Sequence, residues 1–143
     1  MAYGQTMLVL LAILLFSTMM LGYYNNLFRW MDMHNREYYR FQSLKVADSV
    51  FQEIEFQYIT DQMSFGQLAS TWADSLRALT YDSIDYNVFV EGNWCDSVGV
   101  DAGSGSGFLR FDLRIGCDPG NADTIWVGNT QVPLIKMIAD MGI

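Results

Sequence analysis

The stretch TMLVLLAILLFSTMMLG, Thr6 to Gly22, decides how the rest of the chain is read. It carries no charge, and no charged side chain occurs anywhere before Arg29. Neither glycine nor proline interrupts the sequence that follows, from Tyr23 to Asp61. A helix from about residue 6 to about residue 61 therefore meets no breaker beyond Gly22, which costs about 1 kcal/mol against alanine. Such a helix would be on the order of 84 Å long at ~1.5 Å per residue. The rest of the chain is too short to cover that length. Apolar all round in its first third and one-sided afterwards, the helix requires other molecules to pack against.

The apolar run proper, Met7 to Leu21, is extended by uncharged flanks past the roughly 20 residues that span a bilayer. Ser17 and Thr18 are compatible with a span, because their hydroxyls can bond back to their own helix. No Lys or Arg precedes the run and no small-x-small cleavage site follows it, so it does not read as an ordinary secretory signal and is expected to stay in the molecule. Tyr23, Tyr24, Phe28 and Trp30 fall where an interfacial aromatic belt would lie, and they suit helix–helix packing equally well. Arg29, Arg36, Arg40 and Lys45 follow the span, and the positive-inside rule taken alone would put that side in the cytoplasm. The cysteine pair and the acidic, Gly/Ser-looped remainder weigh more and point outward.

From Tyr23 the pattern becomes a stripe. Leu27, Met31, His34, Tyr38, Phe41 and Leu44 recur at 3-and-4 spacing, and Ala47, Phe51, Ile54 and Tyr58 continue it. Arg29, Asp32, Arg36, Glu37 and Arg40 lie elsewhere around the helix. After a turn, Thr71-Trp72-Ala73-Asp74 has the form of a capping box, which predicts a short helix over 72–79 with Trp72, Leu76 and Leu79 on one face. Asp85 to Cys95 reads as a strand with Tyr86, Val88, Val90 and Trp94 on one side. Phe108 to Cys117 alternates, with 109, 111, 113, 115 and 117 inward and Arg110, Asp112 and Arg114 outward. Thr124 to Val127 is a third strand. Pro133 to Met141 fits a strand or, slightly better, a short helix with Leu134, Met137, Ile138 and Met141 on one face. The expected fold is α+β: a long N-terminal helix, about 6–61, its C-terminal half packed on a small antiparallel sheet. The domains are a hydrophobic segment 1–28, an amphipathic continuation 29–61 and a small β-rich part 62–143.

Charge and motif content narrow the function. The net charge is −8, and after Lys45 there are four basic and fourteen acidic groups. An acidic half repels phosphates, so nucleic acid is not expected as a partner. Cys95 and Cys117, the only cysteines, form no CxxC or Cys/His cluster, which sets zinc aside. In a small exported domain such a pair reads as one disulfide, closing a loop of about 21 residues for roughly 3 kcal/mol, ahead of the alternative of two free buried thiols. If their strands form a hairpin, however, the two cysteines end at opposite edges of it. His34 sits on the apolar stripe with no titrating partner placed beside it, and among the scattered acidic groups Asp82 with Asp85 and Asp118 with Asp123 read as turn positions, where Asp serves the backbone. The loops 96–107 and 118–123 lack calcium-loop spacing. No phosphate loop or nucleophile motif occurs. An enzyme is not expected, nor any cofactor or metal.

The uncharged start with Gly4 and Gln5, the run from Thr6 to Gly22, its unbroken continuation and the small β-rich part with two cysteines resemble a type IV pilin or pilin-like filament subunit. Residue-level likeness is confined to the N-terminal segment, whereas the order of parts agrees end to end. The resemblance implies an α+β subunit held in the membrane, trimmed after a glycine by a prepilin peptidase and assembled by a pilus machinery into a helical homopolymer on the cell surface. Met7, Leu8, Leu10, Leu11, Ile13, Leu14, Leu15, Phe16, Met19, Met20 and Leu21 would then form the fibre core. The family's usual glutamate at the fifth mature position is missing: that place holds Gln5 if Met1 is the terminus, or Val9 if cleavage follows Gly4. The alternative is a single-pass, membrane-anchored surface domain that binds a ligand without polymerising.

Overall fold

The computed structural model of the chain describes residues 2–120, 123–140 and 142. The chain forms two compact units, Met1–Tyr38 and Tyr39–Ile143. Helix α1 is Ala2–Ile59; its earlier part makes up the first unit and its last part belongs to the second. No glycine ends it. Asp61 adopts a left-handed φ of 56°, and the Gln62 and Met63 N–H groups both donate to the Gln57 carbonyl, closing the last turn as a C-terminal cap requires.

In the second unit α1 is followed by α2 (Phe65–Trp72), β1 (Ser75–Tyr81), β2 (Ile84–Cys95), β3 (Phe108–Asp118), β4 (Ile125–Val127) and β5 (Leu134–Ala139). The fold is α+β, with residues 39–59 of α1 packed on a five-stranded antiparallel sheet. Strands β1, β2 and β3 are sequential neighbours. The far edge of β3 is shared: β4 pairs with Ile115–Cys117, and β5 with Phe108–Leu113. Gly128 makes that handover possible. Its φ is +73°, and a Cβ there would stand 2.7 Å from the Leu113 carbonyl oxygen, so both backbone conformation and space demand glycine.

The core joins Val46, Ala47, Val50, Ile54 and Tyr58 of α1 to Phe65, Leu68 and Trp72 of α2. From the sheet come Tyr86, Val88, Val90, Leu109, Phe111, Leu113 and Ile115. Polar ties border it: the Trp72 indole N–H donates to Gln57 Oε1 at 3.0 Å and the Tyr58 hydroxyl to Asp140 Oδ1 at 3.1 Å. Arg77 reaches Glu53 at 2.9 Å and lies 3.9 Å above the Trp72 ring. Lys136 reaches Glu55 at 2.9 Å.

Two elements differ from the sequence expectation. The helix lies at 65–72, not 72–79. Ser64 and Gln67 form the reciprocal capping box, so Thr71 falls in its last turn and Asp74, at φ 48°, reverses the chain. The segment 75–81 then becomes β1, because seven register pairs with β2 supply hydrogen bonds that a two-turn helix cannot match. Likewise Leu134–Ala139 is a strand and not a helix. Its 3-and-4 apolar spacing is outweighed by the open edge of β3, which offers Phe108–Leu113 as a template. Met141 lies outside the described residues.

The disulfide is also corrected. Cys95 and Cys117 are both free and buried. β2 and β3 do pair across their loop, and the register sets Cys95 opposite Phe108 and Cys117 opposite Tyr86. At ~3.3 Å per residue the two ends of that ladder are roughly 30 Å apart, where a bridge needs Cα atoms within about 7 Å. Burial raises the pKa of both thiols, opposed at Cys95 by the Arg110 charge and at Cys117 by a hydrogen bond with Tyr86. Both thiols should resist alkylation at neutral pH in the native protein. Unfolding without reductant should let iodoacetamide tag both cysteines, read by mass spectrometry; an untagged, bridged species would contradict this register. Gly128→Ala should lower unfolding free energy by at least about 1–3 kcal/mol, measured by denaturant melts; an unchanged midpoint would show that the β4–β5 corner does not need the left-handed residue.

Candidate functional site: an uncovered helix and an outer sheet face

In the first unit every described side chain from Tyr3 to Tyr38 is exposed. Between Met7 and Leu21 that includes Met7, Leu8, Val9, Leu10, Leu11, Ile13, Leu14, Leu15, Phe16, Met19, Met20 and Leu21, at 40–75 % exposure. Helix formation here follows from composition: Leu and Met, which carry no branch at Cβ, dominate, and Gly22 is the sole glycine between Gly4 and Tyr38. The Thr6 and Thr18 hydroxyls donate to the Tyr3 and Leu15 carbonyls at 3.0 and 2.9 Å, so these polar groups are satisfied without water. The helix is long and apolar enough to cross a membrane. Gly4 has open space around its Cα, and Gln5 lines a shallow apolar groove with Thr6, Val9 and Leu10.

The expected stripe divides between the units. Leu27, Met31 and His34 border one shallow groove with Tyr23 and Trp30. In the second unit Ile54 and Tyr58 are buried and Phe51 is partly covered. Phe41 and Leu44 are not inward; they remain 57 % and 45 % exposed. The face that meets the sheet is instead Tyr39, Ser43, Val46, Ala47, Val50, Ile54 and Tyr58. Ser43 is admitted to it because its hydroxyl donates to the Tyr39 carbonyl at 2.9 Å. Phe56 and Ile59 join Phe41 and Leu44 as exposed apolar groups. This part of α1 thus has two apolar faces, of which the sheet covers one. A single 3-and-4 count merged them.

The outer face of the sheet was not singled out in the sequence. There Trp126 packs over Gly116, with Phe89 beside it at 5.8 Å between ring centroids. A lone glycine inside the strand pattern was the available signal, since it marks a close approach. Beyond it the loop 96–107 is pinned back: Arg110 pairs with Asp101 at 2.9 Å and Asp112 at 3.0 Å and donates to the Gly99 carbonyl. Asp96 accepts from the Val98 and Val100 N–H groups, both at 2.9 Å.

Among the described residues no group of three or more His, Cys, Asp and Glu is placed to hold a metal ion. No family model, curated protein or solved structure matches the chain.

Backbone N–H groups of Val100 and Val98 hold the Asp96 carboxyl below the usual carboxylate range. A depressed folded-state pKa means the cap is fully present above the unfolded value of about 3.9 and is lost as pH falls through the folded one. Asp96→Ala should speed amide exchange of Val98 and Val100 at neutral pH, and in the parent acidification should lower their protection relative to the intrinsic exchange rate at each pH. Unchanged exchange in the variant would assign the loop's order to Arg110 alone.

Proposed function

We propose that this chain is the structural subunit of a type IV pilus-like filament, extracellular once assembled and held in the membrane beforehand. One observation carries the reading: a helix with an uncovered apolar surface on every side is joined to a soluble unit with its own core. Each large apolar side chain moved from water is worth roughly 1.5–3 kcal/mol. The twelve between Met7 and Leu21 thus represent tens of kcal/mol, against a total stability of about 5–15 kcal/mol for a typical domain. No solvated state of the isolated subunit tolerates that exposure. The segment resides in lipid or in a bundle of like helices.

The second apolar face favours the bundle. Phe41, Leu44, Phe56 and Ile59 lie beyond the span, where lipid does not reach them, and identical subunits stacked with an axial offset cover them. Repeating one heterologous contact by a rotation that never closes gives an open fibre. The partners are copies of this chain, with the assembly machinery and prepilin peptidase that the pilin likeness implies. The role is structural, not catalytic. Whether Gln5 or Val9 holds the place of the family's glutamate, no carboxylate stands there, which leaves apolar packing to set the register.

Electron microscopy of the native protein, sheared from cells and kept free of detergent, tests this directly. Uniform fibres are expected, and Leu11→Asp with Leu14→Asp should abolish them while the detergent-solubilised subunit keeps its thermal unfolding midpoint. Dispersed particles that need detergent, or fibres that persist in the double variant, would overturn the filament and favour an anchored surface domain.

A further inference from the structure

The sheet face turned away from α1 is laid out in rows by the register. Ala78, Asn87, Gly116 and Trp126 form one row; Leu76, Phe89 and Arg114 flank it on one side, and Thr80, Asp85 and Asp118 on the other. A Cβ on Gly116 would stand 3.1 Å from the Trp126 ring, so the indole rests on strand backbone and cannot sink further. It stays 49 % exposed, tilted 37° to the neighbouring Phe89 ring. A guanidinium already uses this surface: Arg114 lies 5.6 Å from the Phe89 centroid and is neutralised by Glu91.

The adjoining row is unbalanced. Asp85 and Asp118 stand directly opposite each other on β2 and β3, and both are exposed. Like charges across a ladder destabilise it. Asp85 accepts from the Thr80 hydroxyl at 2.8 Å and Asp118 from the Gly120 N–H at 2.9 Å. Neither is in an ion pair among the described residues. The cations after Lys45 are committed elsewhere: Arg77 to Glu53, Arg110 to Asp101 and Asp112, Arg114 to Glu91, and Lys136 to Glu55.

We propose that this platform binds an arginine side chain presented by a partner polypeptide, with the guanidinium stacked on Trp126 and its N–H groups directed to Asp85 and Asp118. Charge complementarity selects a cation, and the shape of the site selects which. An open aromatic plane beside two carboxylates suits a planar, forked donor. A compact ammonium gains less from stacking, and a quaternary ammonium has no cage to enter. The inference is independent of polymerisation, because it concerns the outer face of the sheet in the second unit and holds for a fibre or an anchored domain alike.

The test uses the full chain in detergent micelles, with the indole N–H resonance of Trp126 assigned by its loss in Trp126→Phe. Titration with a blocked Gly-Gly-Arg-Gly-Gly peptide should shift that resonance saturably. The midpoint should rise roughly tenfold for the lysine counterpart and for the Asp85→Asn/Asp118→Asn variant. That variant should melt no lower than the parent, since it removes a repulsion, and this separates lost binding from lost fold. No shift at Trp126, equal response to the lysine peptide or to choline, or undiminished binding by the Asn variant would each overturn the proposal.

Discussion

An apolar helical surface that the chain cannot cover by itself governs the remainder of this structure. Over residues 3–38 no side chain is shielded within the described subunit. Helical hydrogen bonding satisfies the backbone, and the Thr6 and Thr18 hydroxyls are turned back onto it, so the segment is self-sufficient in polar terms and deficient in apolar contact. That combination suits two environments, lipid and a bundle of like helices, because each supplies apolar contact and neither supplies hydrogen bonds. Every other feature can be read as what keeps a soluble unit attached to such a helix.

The second unit is built on the same helix. Val46, Val50, Ile54 and Tyr58 give the sheet its opposite wall, and Glu53, Glu55, Gln57 and Tyr58 tie that wall to β1, β5, α2 and Asp140 at its rim. A core drawn from the sheet alone would lack that wall. No covalent bridge contributes, since both cysteines are buried as small apolar groups within the β2–β3 ladder. Stability therefore comes from interdigitated packing and from the long β2–β3 pairing, eleven register pairs from Asp85 to Cys95.

Charge is distributed to match. Local ion pairs absorb every cation of the chain after Lys45, and carboxylates are left over on α1 (Asp48), at turns and at strand ends. Excess negative charge keeps a surface soluble and disfavours unplanned association between like units. It also leaves an exposed aromatic platform of the sheet, Trp126 with Phe89, beside uncompensated acid.

The long helix, the two main strands and their inward residues were legible in the sequence, because each rests on a local property. An unbroken apolar run, a period of two and the absence of breakers act within a few residues of chain. The Ser64 to Gln67 capping box is equally local, and Thr71 to Asp74 repeats its spacing seven residues later without starting a helix. What only the tertiary structure decided are the features that depend on distant partners. Residues 75–81 and 134–139 are strands because β2 and β3 offer edges to them. Phe41 and Leu44 stay outside because Ser43, Val46 and Val50 face the sheet better. Cys95 and Cys117 stay apart because the antiparallel register carries them to opposite ends of one ladder. Local periodicity records which residues share a side of an element, whereas only the assembled core selects the side that is covered.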